Sequence, residues 1–392
     1  MFNLLKEFLW FAPKLKVKSS QTFYQLAFAL QYLQVEDVAF VVRFKKQLLA
    51  GLLGQQRPNG GFDIGFNFLF GTGKIKPYAA CPTTPETLSV FGLYLLMDEK
   101  NSEKIIRAII KHRDWLATYT TDISPHRIAY CPEFSTVPHI VNSTSFASVT
   151  SAILLKLKFI EKEPLYLEAL KENLIINQDG NTAYYPYFLF SSTLNSNESQ
   201  LTKVDNYHLA QQGWSHLMRF KLGGDNDDLS IASQIFNFFL HSGAEAQMLN
   251  YCQDPAHTPM HVPLWGAMSL VQFCGEYYQI TKDTRAITII RLYSDFVLSF
   301  ERASGRYPAV VSVDEDLIDA CEFIRGDAWI CHGFSCAFDA TKDDLYNDAA
   351  KRILFSIKER GFRGREPNRW TTRKLLSLRL RDILCGNHNA HY

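Results

Sequence analysis

The sequence lacks the features that would assign it at a glance. None of its eight cysteines (81, 131, 252, 274, 321, 331, 336 and 385) forms a CxxC pair or recurs at a fixed interval. That scatter argues against a disulfide framework and suits thiols kept reduced. Neither sign of charge is in excess, with 41 basic side chains against 40 acidic ones. Nucleic acid is therefore not an expected partner, since binding it takes a basic surplus to displace phosphate counterions. No run of about 18 uncharged apolar residues occurs, as a bilayer crossing needs; even 147–155 stops at Lys156 and Lys158. The apolar patch at 8–12 lies between Lys6, Glu7 and Pro13, Lys14, Lys16, which does not read as a signal peptide. The expected compartment is the cytoplasm.

What is present points to a folded chain. Of 392 residues, 47% are apolar, and 29 Phe with 18 Tyr are too many for a disordered protein or a coiled coil. Helix-like segments that follow a cap signal begin near Ser20, Thr84, Thr144, Asp205, His261 and Phe323, a period close to sixty residues. A second series begins near Glu36, Ser102, Pro164, Asn226, Asp283 and Asp343 and keeps step with the first. The two differ in kind. Residues 88–97 and 147–155 carry almost no charge, as helices buried on every side would, whereas after Ser102 a charged face (Lys104, Arg107, Lys111, Asp114) opposes an apolar one (Ile105, Ile106, Ile109, Leu116).

Six pairs of inner and outer helices predict an all-α protein, a closed (α/α)6 toroid with short strands in long loops on one face. The expected hairpins lie near 20–54, 84–120, 144–176, 205–241, 261–302 and 323–359, in one domain spanning 1–359, followed by a basic segment at 360–392. An open superhelix, binding protein along a concave face, is the alternative. Loop lengths favour closure around a working face. The turn within a hairpin is short, as at 223–225, while roughly 16 to 35 residues separate one hairpin from the next, far above the usual 4–6.

The long loops share glycine and aromatic residues: Gly60-Gly61-Phe62, Arg127-Ile128-Ala129-Tyr130, the 180–187 stretch containing Tyr185 and Tyr187, Gly305-Arg306-Tyr307-Pro308 and Gly361-Phe362-Arg363. Such aromatics either surround a mouth or cover the tops of the helices. The run Gly54-Gln55-Gln56-Arg57-Pro58-Asn59-Gly60-Gly61-Phe62, followed by Pro82-Thr83-Thr84-Pro85-Glu86-Thr87, resembles six-hairpin toroid proteins of bacterial polysaccharide assembly and their glucuronyl C5-epimerase relatives. Asp205-Asn206-Tyr207-His208 and Gly305-Arg306-Tyr307-Pro308 resemble later motifs of the same group, in the same order. Arg325-Gly326-Asp327-Ala328-Trp329 is similar to a helix start of unsaturated glucuronyl hydrolases. The resemblance implies the toroid and an action on sugars.

On that reading, inner helices that open at the mouth present Glu86, Asn142, Asp205, His208, His261, Arg325 and Asp327. Thr84-Pro85-Glu86 also fits a plain helix start, and Asp205 a plain cap. His208, three residues after Asp205, shares its helix face, so a carboxylate can orient the imidazole for acid or base work. Arg325 suits recognition of a uronic carboxylate, with Arg127 and Arg306 as alternatives. Phe62, Tyr130, Tyr207, Tyr307 and Trp329 are the candidates for stacking on sugar rings. Tyr185, Tyr187, His208 and His261 are the candidates for proton abstraction; Glu86, Asp205 and Asp327 are the acids available for hydrolysis.

Two further motifs point elsewhere. Asp225-Asn226-Asp227-Asp228 matches the DxDD acid of class II terpene cyclases, but its register puts it in a short turn away from the mouth, where capping is the simpler role. Cys331-His332-Gly333 resembles the zinc ligands of lanthionine cyclases, without the further ligands that zinc needs. No metal or cofactor is expected. Residues 358–382 hold nine basic side chains against three acidic ones, so this segment either packs on the toroid or meets a membrane surface or assembly partner. The expected function is a carbohydrate-active enzyme of epimerase, lyase or hydrolase type in polysaccharide biosynthesis, acting on a glycan that contains uronic acid. A non-catalytic toroid that binds glycan or protein is the alternative.

Overall fold

The computed structural model describes residues 18–64, 84–118, 128, 141–164, 166–187, 204–251, 261–302, 305–319 and 324–363. They form six helical hairpins. The inner helices are α1 (Ser20–Ala29), α3 (Leu88–Leu95, led by a 3-10 turn at Thr84–Thr87), α5 (Val141–Lys156), α7 (Asn206–Lys221), α9 (Leu264–Thr281) and α11 (Ile324–Thr341). Their outer partners are α2 (Val38–Gln55), α4 (Ser102–Ala117), α6 (Tyr166–Glu172), α8 (Asn226–His241), α10 (Arg285–Ser299) and α12 (Asp344–Glu359).

Local sequence accounts for many of the boundaries. Ser19, Asp37, Asp205, Asp225 and Asp343 each cap a helix by accepting hydrogen bonds from backbone N–H groups of its first turn. The inner helix α5 buries every residue from Val141 to Leu154, and its Ser, Thr and Ala side chains let neighbours approach closely. The outer helix α4 buries only one face, through Ile105, Ala108, Ile109, His112, Trp115 and Leu116.

Closure is direct. Each inner helix packs on the next, and α11 packs back on α1. At that seam His332 Nδ1 lies 2.8 Å from Gln25 Oε1, and Arg325 donates to Gln21 Oε1 at 3.1 Å. Beyond it, the Gln34 N–H donates to Asn347 Oδ1 on α12 at 3.2 Å. The open superhelix is thereby excluded. Because each hairpin runs inner helix first, all six inner helices start at the end that carries the long connections and finish at the end that carries the short turns.

The axis is not a through-channel. Phe28 of α1 reaches Trp214 of α7, three places round the ring, with centroids 5.6 Å apart, and also meets Phe91 at 5.1 Å and His332 at 5.4 Å. These rings form a plug between the two ends.

Among the described residues, two small sheets decorate the long connections. β1 (Ile175–Ile176) pairs with β2 (Ala183–Tyr184), and β3 (His261–Pro263), β4 (Val310–Ser312) and β5 (Leu317–Asp319) form an antiparallel sheet in that order. One expectation is corrected here. His261 does not open an inner helix; it pairs with Ser312 in β3, and α9 begins three residues later, because Pro263 stands in extended conformation at its N-cap.

Candidate active site

The inner helix starts converge at the loop end, and their polar side chains fall into two groups. The first is built on α7. Asp205 uses Oδ1 to accept from the backbone N–H groups of Tyr207 and His208, at 3.2 and 3.1 Å, and Oδ2 to meet His208 Nδ1 at 2.5 Å. The carboxylate thus caps the helix and orients the imidazole at once. With Nδ1–H donating to a carboxylate, a neutral His208 carries its lone pair on Nε2. The ring is walled by Tyr187 (5.4 Å), Tyr251 (6.1 Å) and Trp265 (6.1 Å), all roughly edge-on, and Trp265 continues to Trp329 of α11 at 6.0 Å. In the first turns of α7, α9 and α11 most side chains are buried; His208, Trp265 and Arg325 keep partial exposure.

The second group centres on Glu86. Its side chain is wholly buried and accepts from Ser20 Oγ and, at 2.8 Å, from Gln21 Nε2, while Gln21 Oε1 takes the Arg325 guanidinium. Burial pushes the carboxyl up to about 8, against the opposing pull of Ser20, Gln21 and Arg325 and with Asp63 adding to the rise. Asp63 itself is buried and ion-paired with Arg57. Between the groups stands α5, whose Asn142 is 3% exposed and whose Oδ1 has no hydrogen-bond partner among the described residues.

Other expected site residues lie elsewhere, and the reason is the same in each case: their polar atoms or rings are spent inside the wall. Tyr185 is 1% exposed, and its hydroxyl meets His216 Nε2 at 2.9 Å; His216 Nδ1 in turn meets Asp228 at 2.7 Å. Tyr207 is fully buried and donates to the Leu249 carbonyl at 2.5 Å. Phe62 packs on His112 of α4 at 5.2 Å, and Tyr307 on Phe334 at 6.1 Å. Asp327 faces the outer layer, where Arg360 binds its Oδ2 at 2.7 Å. Gly60 explains why its loop is a clip rather than a rim. With φ at +103° and the Lys111 carbonyl oxygen filling the space that a Cβ would need, it hands its own carbonyl to Gln56 Nε2 and His112 Nδ1 of the same wall. Arg306 joins a backbone bridge with Arg302. Arg127, Tyr130 and most of the basic C-terminal segment lie outside the described residues.

Sequence reasoning missed Gln21, Asp63, Tyr251 and Trp265. Trp265 carried a signal, an indole one residue into an inner helix; Asp63 and Tyr251 gain their partners from the folding of long connections onto their own hairpins, and Gln21 from the packing of neighbouring hairpins. The two motifs that pointed elsewhere also resolve. Asp225 caps α8 and Asp227 is exposed beside Lys171, but Asp228 is buried between His216 and Arg219. Burial works to raise Asp228, and the hydrogen bonds and charges of His216 and Arg219 outweigh it, holding the carboxyl below its usual range. Cys331 donates to the Ala350 carbonyl of α12, while His332 turns to Gln25 at the axis, so the adjacent pair diverges. Among the described residues no helix is long and apolar enough to cross a membrane.

No family model and no curated protein matches the chain. Solved structures do. A cellobiose 2-epimerase from Spirochaeta thermophila is 15% identical, with a TM-score of 0.57 over 83% of this chain and 87% of its own. A sugar epimerase from a ruminal bacterium is 14% identical, with a TM-score of 0.56 over 79% and 85%. An unsaturated glucuronyl hydrolase specific for heparin is 12% identical, with a TM-score of 0.53 over 83% and 87%. At such identities the likeness is one of architecture: the chain has the (α/α)6 toroid fold of the six-hairpin, glycosidase-like enzymes.

Proposed function

We propose that this protein is a carbohydrate-active enzyme that abstracts the proton α to the carboxylate of a uronic acid residue, as an epimerase or lyase in polysaccharide biosynthesis. The observation that carries the reading is the Asp205-oriented imidazole of His208 set within an aromatic wall at the loop end. His208 Nε2 takes the C5 proton. The electron pair left on carbon delocalises into the carboxylate as an enediolate, which Arg325 and the positive ends of the surrounding inner helices stabilise. Glu86, protonated up to about pH 8 but wholly buried against Ser20 and Gln21, is the proton reserve, passing a proton through water to C5 for epimerisation or to the departing oxygen for elimination. Trp265 and Tyr187, both partly exposed, offer ring faces or edges to the sugar. The fold neighbours support action on sugars as a class.

Hydrolysis has less support, because it needs two carboxyl groups flanking one bond. Asp205 is committed to its cap and to His208, Asp327 to Arg360 and Asp63 to Arg57. The test is incubation with uronate-containing oligosaccharides in deuterated water. Deuterium at C5, or an unsaturated uronate, is the expected result. New reducing ends without label would indicate hydrolysis, and neither change across a broad panel would indicate a binding protein.

A further inference from the structure

The turn end of the toroid carries a cavity of its own. It has a volume of about 260 Å³ and is lined by Phe28, Tyr32, Phe91, Tyr94, Trp214 and His332, with Gln31, Lys156 and Lys221 among its polar residues. We propose that it is a second ligand site, for a small molecule with one ring face and one anionic group, filled independently of the loop-end site. The proposal does not depend on the chemistry assigned to that site.

Three observations support it. First, the plug of Phe28, Phe91, Trp214 and His332 rings separates the cavity from the loop end, so an occupant here does not touch His208 or Glu86. Second, the charge is unbalanced. Lys221 donates to the buried Glu276 at 2.8 Å, Glu276 also accepts from Tyr32, and burial raises the Glu276 carboxyl to about 8, so it does not cancel the lysine charge at neutral pH. Lys156, in the last turn of α5, has no carboxylate partner among the described residues, so the net charge at the rim is positive. Third, the lining pairs ring faces with unused polar atoms, the pattern that holds a flat polar molecule. Trp214 is 5% exposed, and its Nε1 has no hydrogen-bond partner among the described residues. His332, held neutral because burial lowers it to about 3, spends Nδ1 on Gln25 and keeps Nε2 as an acceptor. The volume falls below the roughly 300–1,000 Å³ of pockets that take drug-sized ligands, which limits the occupant to one ring with its substituents.

The experiment is titration of the full chain with phenyl phosphate and with glucose 6-phosphate, read by calorimetry and by tryptophan fluorescence. Inorganic phosphate alone is the control. We expect saturable one-to-one binding of at least one ring compound, with inorganic phosphate at least about tenfold weaker. Phenyl phosphate alone would assign an aromatic ring and glucose 6-phosphate alone a sugar ring. Lys156→Gln, a change at an exposed position that leaves folding intact, should weaken binding about tenfold, whereas His208→Gln should leave it unchanged. No saturable binding by either compound, equal binding by K156Q, equal binding of inorganic phosphate, or loss of binding in H208Q would each overturn the proposal.

Discussion

At the scale of single residues, Asp205 illustrates how one side chain serves two ends, and substitution separates them. Asparagine caps helices as well as aspartate does, so Asp205→Asn should leave the melting temperature nearly unchanged. The amide lacks the negative charge that fixes the imidazole tautomer, and turnover should fall by about 10²–10⁴, the usual worth of a positioned base. Unchanged turnover would remove His208 from the mechanism. Glu86 gives the matching prediction in pH. Its carboxyl is favoured protonated in the fold, so its contribution to stability is complete below the ordinary 4.5 and is lost as pH rises through about 8. If the protonated form is the acid, kcat/KM should decline through the same upper range, and Glu86→Gln should abolish turnover while retaining the contacts to Ser20 and Gln21. An active E86Q enzyme would make Glu86 a spacer.

The candidate site was partly legible at this scale. The three-residue spacing of Asp205 and His208 on one helix announced their contact, because helical geometry is local. Tyr185, Tyr207 and Tyr307 were misplaced, because which way an aromatic ring turns depends on the neighbouring hairpin, and nothing local encodes it.

At the scale of elements, close packing and buried charge hold the wall. A Cβ on Gly266 of α9 would lie 2.6 Å from the Tyr207 ring of α7. Gly266→Ala should therefore overpack the seam and cost about 1–3 kcal/mol, measurable by denaturant unfolding. Asp228 links α8 to α7 through His216 and Arg219, and Arg219 reaches on to Glu163 at 2.7 Å. Asp228→Ala removes the buried partner of His216 Nδ1 and one of the two carboxylates that hold Arg219, and should cost about 3–5 kcal/mol. Because the folded Asp228 carboxyl is held low, its stabilisation is present above the ordinary aspartate range and disappears as pH falls through the depressed value. The acid limb of the stability profile should flatten in the variant. The neighbouring Asp227→Ala, at an exposed position, should change neither stability nor turnover.

At the scale of the whole molecule, the seam between the last hairpin and the first distinguishes this toroid from an open solenoid. An open array loses its end repeats first, whereas a ring has no ends to fray. Chemical denaturation followed by circular dichroism and by tryptophan fluorescence should give one coincident transition. Early loss of the first or last hairpin in hydrogen exchange would contradict the closed arrangement.

The period near sixty residues, the contrast between uniformly apolar and amphipathic helices, and the cap residues are all local quantities, and the sequence by itself determined from them the six hairpins and their inner and outer layers. Only the tertiary structure decided which polar groups share a space. Gln21 meets Glu86 because α3 packs on α1, it meets Arg325 because α11 returns to α1, and Phe28 meets Trp214 because the ring is narrow enough for opposite helices to touch. Those contacts join residues 65 to 304 positions apart, beyond the reach of any pattern in the chain, and they exist only because six apolar helices exclude water together.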